Sequence, residues 1–162
     1  MKSYDITALA RRLGEACLRR RVMLATAESC TGGGVAEAIT RISGSSAWFD
    51  RAFVTYTNTA KKEMLGVSSR ALVAHGAVSA QVAGEMARGA LAFSHADASV
   101  AITGIAGPTG GSRAKPVGLV YIAWAGRQGA PQVRRFRFRG GRDAVRAQSI
   151  AFALQGLTDL VG

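Results

Sequence analysis

The stretch RVMLATAESCTGGGVAEAI, residues 21–39, passes from an apolar run to a helix-like pattern through three consecutive glycines. Its first part, RVMLATAE, is typical of a short buried strand that ends at Glu28. Apolar residues then recur at helical spacing, and Thr31 is the expected N-cap of that helix. Glycines that open a helix leave backbone N–H groups uncovered, so this turn can meet an anion or an oxyanion.

The rest of the chain repeats the alternation of strand and helix. Amphipathic helices are predicted at both ends and after Ser79, and a hairpin is predicted late in the chain. Strands separated by helices early and a late hairpin favour a three-layer α/β/α domain with a mostly parallel sheet and one antiparallel strand. Beyond the first strand, the predicted strands are 52–58, 98–103, 119–125 and 133–138.

Composition limits the class of protein. A chain of 162 residues with 48% hydrophobic and 19% charged residues is typical of one globular domain, here 1–162. No apolar run is long enough for a bilayer and no signal-peptide pattern is present, so we expect a cytoplasmic protein without membrane contact. The two cysteines and two histidines lack metal-ligand spacing, so neither a metal nor a cofactor is expected. The net charge of +11 attracts anions, but it does not distinguish nucleic acid, phosphorylated metabolites and acidic partner proteins as the anion.

Three polar or glycine-rich segments follow predicted strands: ESCTGGG (28–34), YTNTAKK (56–62) and TGIAGPTGG (103–111). Because the carboxyl ends of parallel strands meet at one edge of a sheet, we expect these segments to converge in one crevice. The first segment lacks the GxxxxGK[ST] spacing of a loop that binds nucleoside triphosphates, so that kind of site is excluded. A site for an oxyanion or for a monophosphate is still compatible with its residues.

The first segment offers Ser29, Cys30 and Thr31 as nucleophiles. A serine needs a base, and the chain holds only His75 and His95 as histidines, each in a context that favours a structural role.

A lysine base is the other solution. Lys61 follows the second strand, and it becomes a base only if desolvation or neighbouring positive charge lowers its pKa. Tyr56, at the end of that strand, can pass a proton or orient the lysine. A rival mechanism uses Cys30 as nucleophile with Glu28 and Lys61, and residue chemistry leaves both mechanisms open.

Six blocks together resemble the CinA C-terminal domain family over residues 5–160: TAESCTGG, VTYTNTAK, LGV, HGAVS, TGIAGP and KPVG. Stand-alone members are nicotinamide-nucleotide amidases, so the resemblance implies hydrolysis of nicotinamide mononucleotide to nicotinic acid mononucleotide and ammonia. It also implies a five-stranded sheet with one antiparallel strand, a metal-free serine–lysine mechanism and a homo-oligomer.

Carried over residue by residue, the resemblance implies Ser29 as nucleophile, Lys61 as general base and Tyr56 as an assisting hydroxyl. Thr103 falls where the family has a supporting hydroxyl near the dyad. The expected substrate-binding groups are the backbone of the glycine turn, with the N–H groups of Cys30, Thr31 and Gly32 as oxyanion donors, and separate donors for the phosphate. The full set is Cys30, Thr31, Gly32, Gly33, Gly44, Ser45, Ser46 and Arg142.

The alternative is a non-catalytic nucleotide- or nucleic-acid-binding module, motivated by VRRFRFRGGR (133–142). Strict alternation along a strand, however, buries Phe136 and Phe138 and leaves the intervening arginines in solvent. Base stacking on those rings is therefore not favoured, and nucleic acid is not the expected partner.

Overall fold

A computed structural model describes residues 3–162, so the first two residues of the predicted 1–162 domain lie outside it. The strands are β1 Leu24–Glu28, β2 Phe49–Val54, β3 Ala98–Gly104, β4 Leu119–Gly126 and β5 Gln132–Arg137. The helices are α1 Ile6–Arg20, α2 Gly34–Thr40, α3 Asn58–Leu65, α4 Ser69–His75, α5 Ala80–Ala92 and α6 Arg142–Val161, with one 3-10 turn at Ser45–Ala47. Among the helices of this described part, none is long and apolar enough to cross a membrane.

The five strands form one mixed sheet in the order β2-β1-β3-β4-β5. β1 is parallel to both β2 and β3, and β4 is antiparallel to both β3 and β5. Four strands therefore run in one direction and β4 alone runs against them. The predicted α/β class, with one antiparallel strand, is confirmed.

The sheet separates two apolar cores, because successive side chains of a strand point to opposite faces. Leu24, Val100 and Ile102 face the core formed with α1, α2 and α6. The opposite face carries small residues such as Ala25 and Ala101, and there α3, α4 and α5 pack. The result is the predicted arrangement of helix layers on both faces of a central sheet.

Two local predictions are wrong, and both errors concern polar residues beside a helix start. β2 occupies Phe49–Val54 rather than 52–58, because Thr57 leaves the strand to cap α3 and accepts a hydrogen bond from Ala60 N at 3.1 Å. Thr31 is not the N-cap of α2: Gly33 occupies that position with φ +95°, and the Thr31 hydroxyl donates to Glu28 instead.

Candidate active site

The carboxyl ends of β1, β2 and β3 surround a cavity of about 330 Å³, within the usual range of small-molecule sites. Ser29 and Cys30 follow β1, Tyr56 follows β2, and Thr103 ends the buried part of β3; all four line this cavity. The three polar segments therefore do converge at one edge of the sheet, as predicted, because their strands are parallel neighbours.

Lys61 is the central polar group of the cavity. The first turn of α3 carries it under the sheet edge, where the side chain is only 1% exposed. Its Nζ lies 3.0 Å from Ser29 Oγ, 2.8 Å from the Thr55 carbonyl oxygen and 3.4 Å from the Tyr56 carbonyl oxygen. A hydroxyl and an amine are thus in direct contact between two buried residues.

Burial lowers the pKa of Lys61 below its usual value of 10.5, because desolvation penalises the ammonium form. Within residues 3–162, no carboxylate lies within 4.0 Å of Nζ to stabilise that charge. Carbonyl groups are its other polar neighbours, and they accept hydrogen bonds from the neutral amine as well. Burial therefore shifts the protonation equilibrium of Lys61 toward the neutral form that a general base requires.

The Ser29 backbone is fixed on two sides. Its N–H donates to the Ile102 carbonyl at 3.0 Å, and its carbonyl accepts from Gly32 N–H at 3.0 Å, which closes a tight turn. The two central N–H groups of that turn, from Cys30 and Thr31, donate to no protein group in the described chain. Cys30 lines the cavity, whereas Thr31 is fully buried and does not line it, so the Cys30 N–H is the one placed to receive an anion there.

Gly32 and Gly33 do not take the predicted part in this cavity. The Gly32 N–H is already used by the Ser29 carbonyl, so it is not available to an oxyanion. Both glycines, with φ of +58° and +95°, line a separate groove together with Arg146. The glycines let the chain turn sharply into α2, which is a conformational role rather than a binding one.

Glu28 is fully buried and caps α2 from inside the fold. Its carboxylate accepts hydrogen bonds from the hydroxyls of Thr26 and Thr31 and from the backbone N–H groups of Val35 and Ala36, at 2.7–3.3 Å. With four donors bound, the carboxylate serves the helix terminus. The expectation that Glu28 assists Cys30 in catalysis is therefore wrong.

Cys30 lines the cavity but is only 5% exposed, and its side chain belongs to the apolar core around α1, α2 and α6. Burial raises the pKa of its thiol to about 11. Because the thiolate is the reactive form, this thiol is a weak nucleophile near neutral pH.

Tyr56 and Arg142 meet at the mouth of the cavity. The exposed Tyr56 hydroxyl accepts a hydrogen bond from Arg142 Nη2 at 2.9 Å, and Arg142 Nη1 donates to the Gly107 carbonyl at 2.7 Å. Tyr56 therefore approaches Lys61 through its carbonyl, and its hydroxyl contacts Arg142 rather than the lysine as predicted. The Thr103 hydroxyl donates to the Ala77 carbonyl at 2.8 Å, which ties β3 to the segment before α5.

The predicted phosphate donors Gly44, Ser45 and Ser46 do not reach the cavity. They precede β2, and Trp48, immediately after them, accepts a hydrogen bond from the N–H of Leu24 at the start of β1. A strand of this length separates them from Ser29 by roughly 17 Å. The prediction is wrong because α2 returns the chain to the amino edge of the sheet.

Further cavity residues were not singled out from the sequence, although their segments were. They are Asn58, Ala77, Val78, Gly104, Ile105, Ala106, Gly107, Thr109 and Gly110. The blocks VTYTNTAK, HGAVS and TGIAGP contain most of them. Membership of these blocks was therefore the sequence feature that could have identified these residues as part of the cavity. His75 and His95 are exposed and lie outside the cavity, and residues 3–162 contain no cluster of three or more His, Cys, Asp or Glu fit for a metal ion.

Comparison of the sequence with known proteins gives near full-length matches. Residues 6–161 match the CinA C-terminal domain family. The nicotinamide-nucleotide amidohydrolase PncC of Escherichia coli (strain K12) is 53% identical over 157 residues, covering 97% of this chain and 95% of that protein. The protein of the same name from Pseudomonas putida is 52% identical over 155 residues, covering 96% of each chain.

Solved structures agree with the sequence matches. The competence/damage inducible protein CihA from Agrobacterium tumefaciens superposes with a TM-score of 0.95 at 49% identity, covering 99% of this chain and 98% of that one. A CinA superfamily protein from Klebsiella pneumoniae 700603 superposes with a TM-score of 0.93 at 38% identity, covering 98% of both chains. The similarity thus extends over the whole sheet and both helix layers.

Proposed function

The chain belongs to the CinA C-terminal domain family, and on that premise we propose that it hydrolyses the carboxamide of nicotinamide mononucleotide, with Ser29 as nucleophile and Lys61 as general base. The family expected from the six sequence blocks is thereby confirmed. Relatives named nicotinamide-nucleotide amidohydrolases support the reaction. The single observation that carries the mechanism is the 3.0 Å contact between Ser29 Oγ and the buried Lys61 Nζ.

Nζ has three polar neighbours, which a neutral amine can satisfy with two N–H groups and one lone pair. Its two N–H groups have two carbonyl acceptors, on Thr55 at 2.8 Å and on Tyr56 at 3.4 Å. The remaining lone pair then faces the Ser29 hydroxyl, so Lys61 accepts the serine proton as Oγ attacks. Burial lowers the pKa of Lys61 and so shifts its protonation equilibrium toward this neutral form.

The reaction proceeds in two halves that balance proton for proton. Ser29 Oγ adds to the carboxamide carbon, Lys61 takes its proton, and the oxygen becomes an oxyanion held by the N–H group of Cys30. The C–N bond then breaks as Lys61 returns the proton to nitrogen, and ammonia leaves an ester on Ser29. Lys61 then takes a proton from water as the water oxygen adds to the ester carbon, and it returns that proton to Ser29 Oγ as the ester C–O bond breaks, which gives nicotinic acid mononucleotide and the free serine.

Arg142 is the proposed phosphate-binding residue. It begins α6 at the mouth of the cavity, and its guanidinium already contacts both walls, at Tyr56 and at Gly107. A bidentate guanidinium matches two phosphate oxygens, and a phosphate can replace the Tyr56 hydroxyl as its acceptor. The net charge of +11 also attracts an anionic substrate.

The rings that motivated the binding-module alternative are packed inside the fold. Phe136 and Phe138 lie 5.0 and 5.4 Å from Phe152 of α6, ring centroid to centroid, and 5.1 Å from each other. Their faces serve the contact between β5 and α6, so they do not support stacking on bases.

The test is ammonia release from nicotinamide mononucleotide, with EDTA present, by the wild type, Ser29→Ala and Cys30→Ala. Turnover lost in Ser29→Ala and kept within about tenfold in Cys30→Ala supports the serine mechanism, since removal of a nucleophile costs far more than removal of a packed thiol. Full turnover by Ser29→Ala overturns that mechanism. An inactive wild type overturns the proposed function itself.

A further inference from the structure

We infer that Arg146 is a positioning residue for this reaction: it fixes the turn that carries Ser29 and the Cys30 N–H group proposed to receive the oxyanion. The inference rests on the proposed amidase function. Arg146 lies in α6, outside the Ser29 cavity, and its guanidinium contacts the far side of the turn.

The contact is made to two consecutive carbonyls. Arg146 Nε donates to the Cys30 carbonyl and Nη2 donates to the Thr31 carbonyl, each at 3.2 Å. The neighbouring α6 residues Val145 and Ser149 are fully buried, so the guanidinium projects from an anchored stretch of helix. Cys30 and Thr31 are the two central residues of the turn that the Ser29 carbonyl and the Gly32 N–H close.

Peptide geometry connects these carbonyls with the free N–H groups. In a trans peptide the C=O and the N–H point in opposite directions. The Cys30 carbonyl points at Arg146, so the Thr31 N–H points away from the groove that holds the guanidinium. The Ser29 carbonyl points at Gly32, so the Cys30 N–H is likewise turned away from that hydrogen bond. Arg146, together with the Gly34 N–H that also donates to the Thr31 carbonyl at 2.9 Å, therefore fixes the turn in the orientation that leaves the Cys30 N–H open to the cavity.

The charge of Arg146 adds to this effect. In the part of the chain that the structure describes, no carboxylate lies within 4.0 Å of its guanidinium, although Glu37 and Asp143 line the same groove. The guanidinium charge is therefore available to the two turn carbonyls, and a hydrogen bond from a charged donor is about twice as strong as one from a neutral donor.

Loss of Arg146 should act on kcat more than on KM, because full negative charge on the carboxamide oxygen exists only in and near the transition state. Direct loss of one oxyanion donor costs about 10²–10³-fold in kcat. Arg146 acts through such donors without touching substrate, so we expect a decrease of about 10–100-fold in kcat and less than about threefold in KM.

The experiment measures kcat and KM with nicotinamide mononucleotide for the wild type, Arg146→Ala and Arg146→Lys. Arg135→Ala removes one exposed arginine from β5 and is the matched control for net charge. Added ethylguanidinium should restore kcat of Arg146→Ala saturably, and it should not restore Ser29→Ala. A merely structural role would not give this combination of unchanged KM and chemical rescue.

Three results overturn the inference: kcat within twofold of wild type, a loss confined to KM, or no rescue by ethylguanidinium. If Arg146→Ala does not fold, Arg146→Lys decides, because it keeps the charge with a single point donor. Reduced kcat at unchanged KM in that variant supports the inference, and wild-type kcat overturns it. An inactive wild type refutes the proposed function, whereas an active wild type with fully active Arg146 variants refutes only the role of Arg146.

Discussion

The 3.0 Å contact between Ser29 and Lys61 predicts that the two residues act as one unit, which a double-mutant cycle can measure. Ser29→Ala leaves the amine without a nucleophile to activate. Lys61→Met keeps a long apolar side chain in the pocket and removes the proton acceptor. Lys61→Met should lower kcat/KM by about 10³-fold, the middle of the range for loss of a general base, and Ser29→Ala should lower it by at least as much.

Independent effects would multiply to about 10⁶-fold in the double variant, whereas residues that act as a unit should again cost only about 10³-fold. The difference of three decades corresponds to a coupling free energy of about 4 kcal/mol. The size of this coupling follows from the site: no other amine or imidazole lines the cavity among the described residues, so neither partner retains a substitute after mutation.

The assay is single-turnover release of ammonia with enzyme in excess, which keeps slow variants measurable. Circular dichroism and the melting temperature of each variant exclude loss of folding as the cause. Lys61→Met combined with Arg135→Ala is the reference pair and should be additive, since Arg135 does not line the cavity. A double variant near 10⁶-fold would refute the reasoning, because Ser29 and Lys61 would then contribute independently.

Four further predictions concern protonation, stability and the phosphate. Because burial lowers the pKa of Lys61 below 10.5, kcat/KM should rise with pH through that lowered pKa and then level off. Between the lowered pKa and 10.5, Lys61 is protonated in the unfolded chain and neutral in the folded one. The free energy of urea unfolding of the wild type, relative to that of Lys61→Met, should therefore increase as pH rises through this range. A difference in unfolding free energy that does not change with pH would contradict the lowered pKa. Glu28→Gln should lower the free energy of urea unfolding by about 2 kcal/mol, because the amide NH₂ cannot accept a helix N–H, and unchanged stability would exclude the capping role. Arg142→Ala should raise KM for nicotinamide mononucleotide roughly 10–100-fold and leave nicotinamide riboside, which lacks the phosphate, unaffected; equal effects on both would remove Arg142 from phosphate binding.

The convergence of three segments could be predicted because it depends on strand order and direction alone. Glu28, Val54 and Gly104 end three parallel neighbours, and whatever follows them must lie at one edge. The misplaced serines at 45 and 46 show the limit of composition as a guide. They are small, polar and next to a glycine, but they follow a helix rather than a strand, and that order places them at the opposite edge.

The sequence by itself determined three features: the alternation of strands and helices, the turn that carries Ser29, and the family to which the chain belongs. Each of these depends on short-range periodicity or on contiguous blocks of residues. Only the tertiary structure decided which groups of the turn are free. The Gly32 N–H is consumed within the turn, and Arg146, 116 residues after Cys30, binds its carbonyl. The pKa of Lys61 has the same origin, because its desolvation depends on the packing of α3 beneath the ends of β1 and β2. Periodicity reports which face of an element is buried, whereas hydrogen-bond partners and local dielectric depend on atoms brought together from distant parts of the chain.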